Sequence, residues 1–260
     1  MLLLHAALPA EREIFAMENR FRQHILVPCY DTDVAQLLKP ASFMDLAQEA
    51  ANLHADILGF GYDNLMETRT AWVLSRMHIR FVRHPRWREE VDLETWHKGL
   101  DRMFYLRDFR MTDATGAILV EATTSWLVLN IDTRRIVRDA GLTEEGICAE
   151  NAVAEPCGKI RIPDGCAMEH VCVHRVSYSD IDMNGHANNA MYLVWSMDAV
   201  DYDFASGRPV KEVRINFNHE TKPGDEVTIN RACTERGADT VYYIEGDVSG
   251  RTAFMAELVF

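Results

Sequence analysis

No Cys-x-x-Cys pair occurs among the six cysteines of this 260-residue chain (Cys29, Cys148, Cys157, Cys166, Cys172 and Cys233), which speaks against a zinc ribbon or a thioredoxin-type redox site. Scattered thiols of this kind belong to a reducing compartment. Positive charge is also scarce: 27 Lys and Arg stand against 40 Asp and Glu, a net charge of −13. Nucleic-acid binders draw their affinity from phosphates neutralised by Lys and Arg, so this balance argues against one. No apolar run approaches the roughly 18 residues of a membrane span, and the opening Met-Leu-Leu-Leu-His-Ala-Ala-Leu-Pro lacks the positive start of a secretory signal. A cytoplasmic protein is expected. With 48% apolar and 26% charged residues, the composition is that of an ordinary folded chain, long enough for one large or two average domains.

The nearest approach to a metal pattern is His170, Cys172 and His174, which strand alternation would put on one face. A fourth ligand is not evident, so no metal and no other cofactor is expected. Residues 1–16 show no partner elsewhere and read as an N-terminal tail, with Met17 an alternative start.

What the chain does contain is an internal repeat. Aligned without gaps, 79–93 (IRFVRHPRWREEVDL) faces 215–229 (INFNHETKPGDEVTI), matching at Ile79/Ile215, Phe81/Phe217, Glu90/Glu226 and Val91/Val227. The same order of elements surrounds each copy: an Asp-x-Asp turn (Asp31 and Asp33; Asp180 and Asp182), an amphipathic helix, then alternating strands. In the first helix Pro40 suits an early position, and Phe43, Leu46, Ala47, Ala50, Leu53 and Ile57 form an apolar stripe. In the second, Asn188 or Asn189 caps the start, and Ala190, Leu193, Val194, Met197 and Val200 repeat the stripe. Met77, Ile79 and Phe81 alternate with Arg76, His78 and Arg80, and Phe254, Ala256, Leu258 and Phe260 alternate near the C-terminus. Residues 139–165, rich in Gly, Pro, Glu and Ala, read as a linker between halves 17–138 and 166–260. Consecutive strands around one long helix per half make the fold α+β, each half an antiparallel sheet wrapped around a helix.

Only the second copy carries reactive groups at its turn. It reads Asp182-Met-Asn184-Gly-His186-Ala-Asn188-Asn189, where the first reads Asp33-Val-Ala35-Gln-Leu37. A carboxylate, an amide and an imidazole at alternate positions before a helix start suit an oxyanion. Glu220, standing where the first copy has His84, is a candidate general base, with the base and orienting roles open to exchange between it and His186. On spacing alone, ordinary cap and turn residues account for the pattern equally well.

Residues 178–195 (YSDIDMNGHANNAMYLVW) closely resemble the active-site segment of plant-type acyl-acyl carrier protein thioesterases, whose D-x-N-x-H-x-N-N motif opens the helix of the second hotdog domain. In the first half, 72–77 (WVLSRM), 91–96 (VDLETW) and 126–135 (WLVLNIDTRR) resemble the same family in order, so the similarity covers roughly residues 21–260. The resemblance implies a tandem hotdog that hydrolyses the thioester of a fatty acyl chain on its carrier protein, with Asp182, Asn184, His186 and Glu220 as the reactive set. Many plant members have a cysteine after the glutamate. Here Thr221 follows, which removes a thiolate mechanism and favours direct attack by water. No plastid transit peptide precedes the similarity, so a bacterial, cytoplasmic member is expected.

By the same resemblance the N-terminal hotdog houses the acyl chain, helped by the Gly59–Thr70 excursion, although most of Phe43, Leu46, Leu53 and Ile57 read as core. An acidic carrier protein would be steered by local basic clusters, with Arg83, Arg86, Arg88, Arg134 and Arg135 as docking candidates. An acyl-CoA thioesterase is the nearest rival, ahead of a hotdog hydratase or a non-catalytic acyl-binding protein. A tandem hotdog supplies its own sheet pairing, so a monomer or a homodimer is expected.

Overall fold

Residues 14–17, 19–138 and 146–260 are described by the structure, a computed structural model. The first half runs β1 (Ile14–Met17), β2 (Arg20–Leu26), α1 (Pro40–Ile57), α2 (Tyr62–Glu67), β3 (Thr70–Phe81), β4 (Glu90–Asp101), β5 (Phe104–Asp113) and β6 (Ile118–Asn130). The second runs β7 (Glu169–Arg175), α3 (Asn189–Asp198), α4 (Tyr202–Gly207), β8 (Glu212–Phe217), β9 (Glu226–Arg236), β10 (Asp239–Val248) and β11 (Arg251–Val259). All strands join one antiparallel sheet in the order β1-β2-β4-β5-β6-β3-β8-β11-β10-β9-β7, so the two halves meet at β3 and β8. There Met77 pairs with Ile215 and Ile79 with Val213, which places the best-matched repeat residues at the seam. The order on one side of the seam mirrors that on the other, as a repeated plan requires.

Alternation decides which face of the sheet meets the helices. Met77, Ile79, Phe81, Phe254, Ala256, Leu258 and Phe260 are all buried, as their spacing predicts. The two helices share one apolar cluster in which Phe43 and Ala47 of α1 join Leu193 and Trp195 of α3, Ile79, Phe109, Ile215 and Phe254. One core therefore spans both halves. Pro40 opens α1, and the Asn188 side chain caps α3 by accepting from the Ala190 N–H at 3.1 Å. Among the described residues no helix is long and apolar enough to cross a membrane.

Three expectations change. Ile57 is half exposed at the end of α1, and its neighbour His54 is buried instead, because the stripe drifts off the core face in the last turn. Residues 1–13 of the expected tail lie outside the described residues, but Ile14–Ala16 are part of β1, paired with Phe21–Gln23 of β2. Of the expected linker, 139–145 lie outside the described residues, and the remainder is anchored to the sheet at Ala152, Val153, Cys157 and Ile160, which are buried. The Trp96 indole donates to Glu150 O at 2.9 Å, the Ala152 N–H to Asp108 at 2.8 Å and the Ile160 N–H to Asn216 at 2.8 Å. Cys157 is buried there, and desolvation pushes its thiol up to about 11, which keeps it an inert thiol.

Candidate active site

Both copies fold their Asp-x-Asp turn with the same backbone hydrogen bonds. Asp33 N–H donates to Leu37 O and Asp182 N–H to His186 O, each at 2.9 Å. Leu38 N–H reaches Pro85 O at 2.8 Å and Ala187 N–H reaches Thr221 O at 3.0 Å. The repeat thus brings 182–187 against 220–221 for the reason that it brings 33–38 against 84–85. Both turns need one residue in the left-handed region, supplied without steric cost by Gly185 (φ +78°) and at some cost by Gln36 (φ +62°). The first aspartate of the second pair is structural: Asp180 is buried, accepting from the Ser177 N–H at 2.7 Å and lying 3.0 Å from His174 Nε2.

The four expected reactive side chains form two contacts. The Asp182 carboxylate accepts from the Asn184 N–H at 2.8 Å and from Asn184 Nδ2 at 3.3 Å. His186 Nε2 lies 3.2 Å from Glu220 Oε2, both side chains about one quarter exposed. Beneath them Tyr192 is buried: its hydroxyl lies 3.1 Å from Thr221 Oγ1 and accepts from the Thr221 N–H at 3.0 Å. Burial chiefly pushes the Tyr192 phenol up, and the nearby charges of Glu220 and Asp182 add in the same sense. Thr221 is wholly buried with its hydroxyl held by Tyr192, a poor setting for a nucleophile. At the α3 start, Ala190 N–H is taken by the Asn188 side chain and Met191 N–H by Asn188 O, so two amides expected to face an oxyanion are already engaged.

The first copy builds the same turn with other side chains. His84, in the place of Glu220, is buried with Nδ1 3.0 Å from Leu38 O and Nε2 2.7 Å from Val210 O, stacked 4.1 Å from the Phe81 ring. It is a clasp between backbone segments.

The arginines expected to dock a carrier separate into two groups. Arg83 is paired with Glu89 at 2.5 Å, Arg88 lies over Trp87 at 4.0 Å, and Arg86 bridges to Leu37, so this group flanks the first copy's turn. Arg134 instead reaches across from the first half and donates to Glu220 Oε2, with exposed Arg135 beside it. The sequence gives no local sign of that long-range contact. For the histidine and cysteine triplet, a register irregularity between His170 and Cys172 breaks the alternation that would align it. Among the described residues no group of three His, Cys, Asp or Glu is arranged to hold a metal ion.

A cavity of about 120 Å³ lies in the first half against α1, walled by Ala51, Ala55, Phe60, Trp72, Leu106 and Trp126 together with Gln48 and Arg107. It uses the small residues of α1 rather than Phe43, Leu46, Leu53 or Ile57, which lie outside its lining. Phe60 comes from the Gly59–Thr70 excursion and is held by the Trp72 indole, which donates to its carbonyl at 3.1 Å. The buried Arg107 guanidinium donates to His54 Nδ1 at 2.9 Å and Thr95 Oγ1 at 3.2 Å, and burial lowers it to about 9. Burial, then the charge of Arg107, lowers His54 to about 3. Gln48 connects the cavity to α3: its Nε2 donates to Asn188 Oδ1 at 3.1 Å and its Oε1 accepts from Asn189 Nδ2 at 2.7 Å.

Comparison with known proteins follows the same division into halves. The acyl-ACP thioesterase N-terminal domain matches residues 18–145, and the acyl-ACP thioesterase C-terminal domain matches 167–258. The chloroplastic oleoyl-acyl carrier protein thioesterase 2 of Arabidopsis thaliana is 28% identical over 243 residues, which cover 84% of this chain and 65% of that protein. The dodecanoyl-[acyl-carrier-protein] hydrolase of Umbellularia californica is 26% identical over 217 residues, covering 77% and 56%. The chain thus spans less than two thirds of the length of these relatives. Among solved structures, an acyl-ACP thioesterase from Bacteroides thetaiotaomicron superposes with a TM-score of 0.82 at 22% identity, covering 93% of this chain and 98% of that one. The 12:0-ACP thioesterase of Umbellularia californica superposes at 0.79 with 20% identity, covering 92% and 93%. These two share the tandem hotdog fold. With both domains matched in order along most of its length, the chain belongs to the acyl-ACP thioesterase family.

Proposed function

We propose that the protein hydrolyses the thioester of a fatty acyl chain carried by an acyl carrier protein, releasing the free fatty acid. The observation that carries this reading is the 3.2 Å contact between His186 and Glu220, which places an imidazole and a carboxylate together at the turn beside Asp182 and Asn184. Glu220, helped by Asn184, holds a water and takes its proton as the water oxygen bonds to the thioester carbon. The carbonyl becomes an oxyanion stabilised by His186. As the carbonyl reforms, the carbon–sulfur bond breaks with its electron pair on sulfur. The proton taken up by Glu220 is delivered to that thiolate, and Asp182 fixes the Asn184 amide. Names of relatives that act on oleoyl and dodecanoyl carrier-protein thioesters support this substrate class.

The acyl chain is assigned to the cavity against α1, which adjoins the α3 cap through Gln48. The carrier approaches along the edge bearing exposed Arg135, since Arg83, Arg86 and Arg88 sit at the other turn. Pairing of β3 with β8 within one chain favours the single chain as the working unit. The test is thiol release from acyl chains presented on carrier protein and on coenzyme A, with Glu220→Ala and His186→Ala in parallel. Faster release from the carrier-linked set, lowered about a hundredfold or more in either variant, is the expected result. Unchanged turnover in both variants overturns the site, and a preference for coenzyme A overturns the substrate.

A further inference from the structure

Arg134 comes from the half that carries none of the four reactive residues. Strand β6 ends at Asn130, and the chain then turns tightly. Asn130 Oδ1 accepts from the Thr133 N–H at 2.8 Å and from its hydroxyl at 2.9 Å, the Arg134 N–H donates to Asn130 O at 2.9 Å, and the Asn130 N–H donates to Arg135 O at 2.9 Å. Arg69 braces the same turn, its Nε donating to Asp132 at 3.1 Å while its carbonyl accepts from the Ile131 N–H at 3.0 Å. Within this frame Arg134 sits at φ +57°, the left-handed region that a side chain with a Cβ occupies only at a cost of about 1 kcal/mol or more. The turn is thus held in a conformation that aims one guanidinium across the boundary between the halves.

That guanidinium meets Glu220 at Oε2, the same oxygen that lies 3.2 Å from His186 Nε2. Oε2 is therefore met by two basic side chains, one from each half. A glutamate on an exposed turn has several rotatable bonds. Anchoring one carboxylate oxygen between a planar guanidinium and an imidazole selects one orientation and leaves the base function to the other oxygen. The Arg134 side chain is itself about half exposed, so the ion pair adds little to folding stability.

Resting on the assignment of Glu220 as base, we propose that Arg134 is the positioning residue for Glu220, fixing Oε2 so that Oε1 receives the proton of the attacking water. The active site is then shared between the halves, the first contributing the acyl cavity and the cation that orders the base. Arg134 acts on the chemical step rather than on carrier capture.

The experiment compares the protein with Arg134→Ala, Arg134→Lys and Arg135→Ala on a carrier-linked acyl substrate and on a small acyl thioester with no carrier. Arg134→Ala should lower kcat about tenfold to a hundredfold on both substrates with KM little changed, consistent with a misplaced catalytic group. Arg134→Lys should recover part of the loss. Free guanidinium chloride at low millimolar concentration should restore activity to Arg134→Ala but not to Glu220→Ala. Thermal melting of all variants should match the parent, which separates a positioning role from a folding role. Unchanged kcat in Arg134→Ala, or a loss confined to KM for the carrier-linked substrate, overturns the inference. An inactive parent, or full activity in Glu220→Ala, instead overturns the reading of the site on which the inference stands.

Discussion

Gln48 of the first half and Asn188 of the second are hydrogen-bonded, Nε2 to Oδ1 at 3.1 Å, so one amide side chain is at once part of a cavity wall and a partner of a helix cap. Gln48 also accepts from Asn189, and Asn188 donates to Asp45 at 3.0 Å. Replacing Gln48 by Ala removes two hydrogen bonds worth about 1 kcal/mol each. The expected loss is about 2 kcal/mol in urea unfolding, with a fall in kcat from loosened α3 placement. Unaltered stability would show that these amides find equivalent partners in water.

Thr221 separates two chemistries. Its hydroxyl is buried against Tyr192, so water rather than this oxygen is the expected nucleophile. Thr221→Ala should keep activity within about tenfold while costing about 1–3 kcal/mol of stability, the usual effect of breaking a buried hydrogen bond. Thr221→Cys should stay active and gain no covalent acyl intermediate detectable by mass spectrometry. Loss of all turnover in a folded Thr221→Ala protein would restore a nucleophilic role.

His54 makes stability sensitive to acid. Its folded-state value is lowered to about 3 from 6.5, so between these pH values the unfolded chain binds a proton there and the folded chain does not. Stability contributed by neutral His54 is thus present above pH 6.5 and is lost as pH falls toward 3, by an amount on the order of 4 kcal/mol. In His54→Gln the amide oxygen can still accept from Arg107, and the acid slope between pH 6.5 and 4 should flatten. Denaturant melts of the two proteins across that range measure the difference, and parallel slopes would refute it.

The cavity wall tests where the acyl chain goes. Ala55 lines it and is buried on α1. Ala55→Leu fills part of the space and should lower kcat/KM for long acyl chains at least tenfold more than for short ones, since each lost methylene contact is worth about 0.8 kcal/mol. An equal effect on all chain lengths would place the acyl chain elsewhere.

How much of this could be read from residues alone follows from the range of the interactions. Helix α1, the cap of α3 and the strands at Met77–Phe81 and Phe254–Phe260 carry their own periodicity, and the resemblance of 178–195 marked the turn. The packed linker was not legible, because Cys157 and Ile160 are anchored by Asn216 rather than by any repeat of their own. Strand β1 fell in a stretch read as tail, and Ile57 kept the stripe's spacing while its helix ended beyond the core. Arg134 looked like one member of a surface cluster, and only the three-dimensional meeting of two distant segments gives it another role. His54 and Arg107 form a buried polar pair whose members sit on separate elements, so neither is distinctive in its local context.

The β3–β8 seam has a consequence for how the protein behaves on dilution. Pairing from Arg76–Asn216 to Arg80–Glu212 joins surfaces on one polypeptide, so the encounter is unimolecular and its effective concentration does not depend on how much protein is present. An assembly of two separate copies would fall apart at low concentration, taking with it any contact that crosses the boundary. Here Arg134 faces Glu220 and Gln48 faces Asn188 in every folded molecule, and activity per molecule should stay constant down to nanomolar protein.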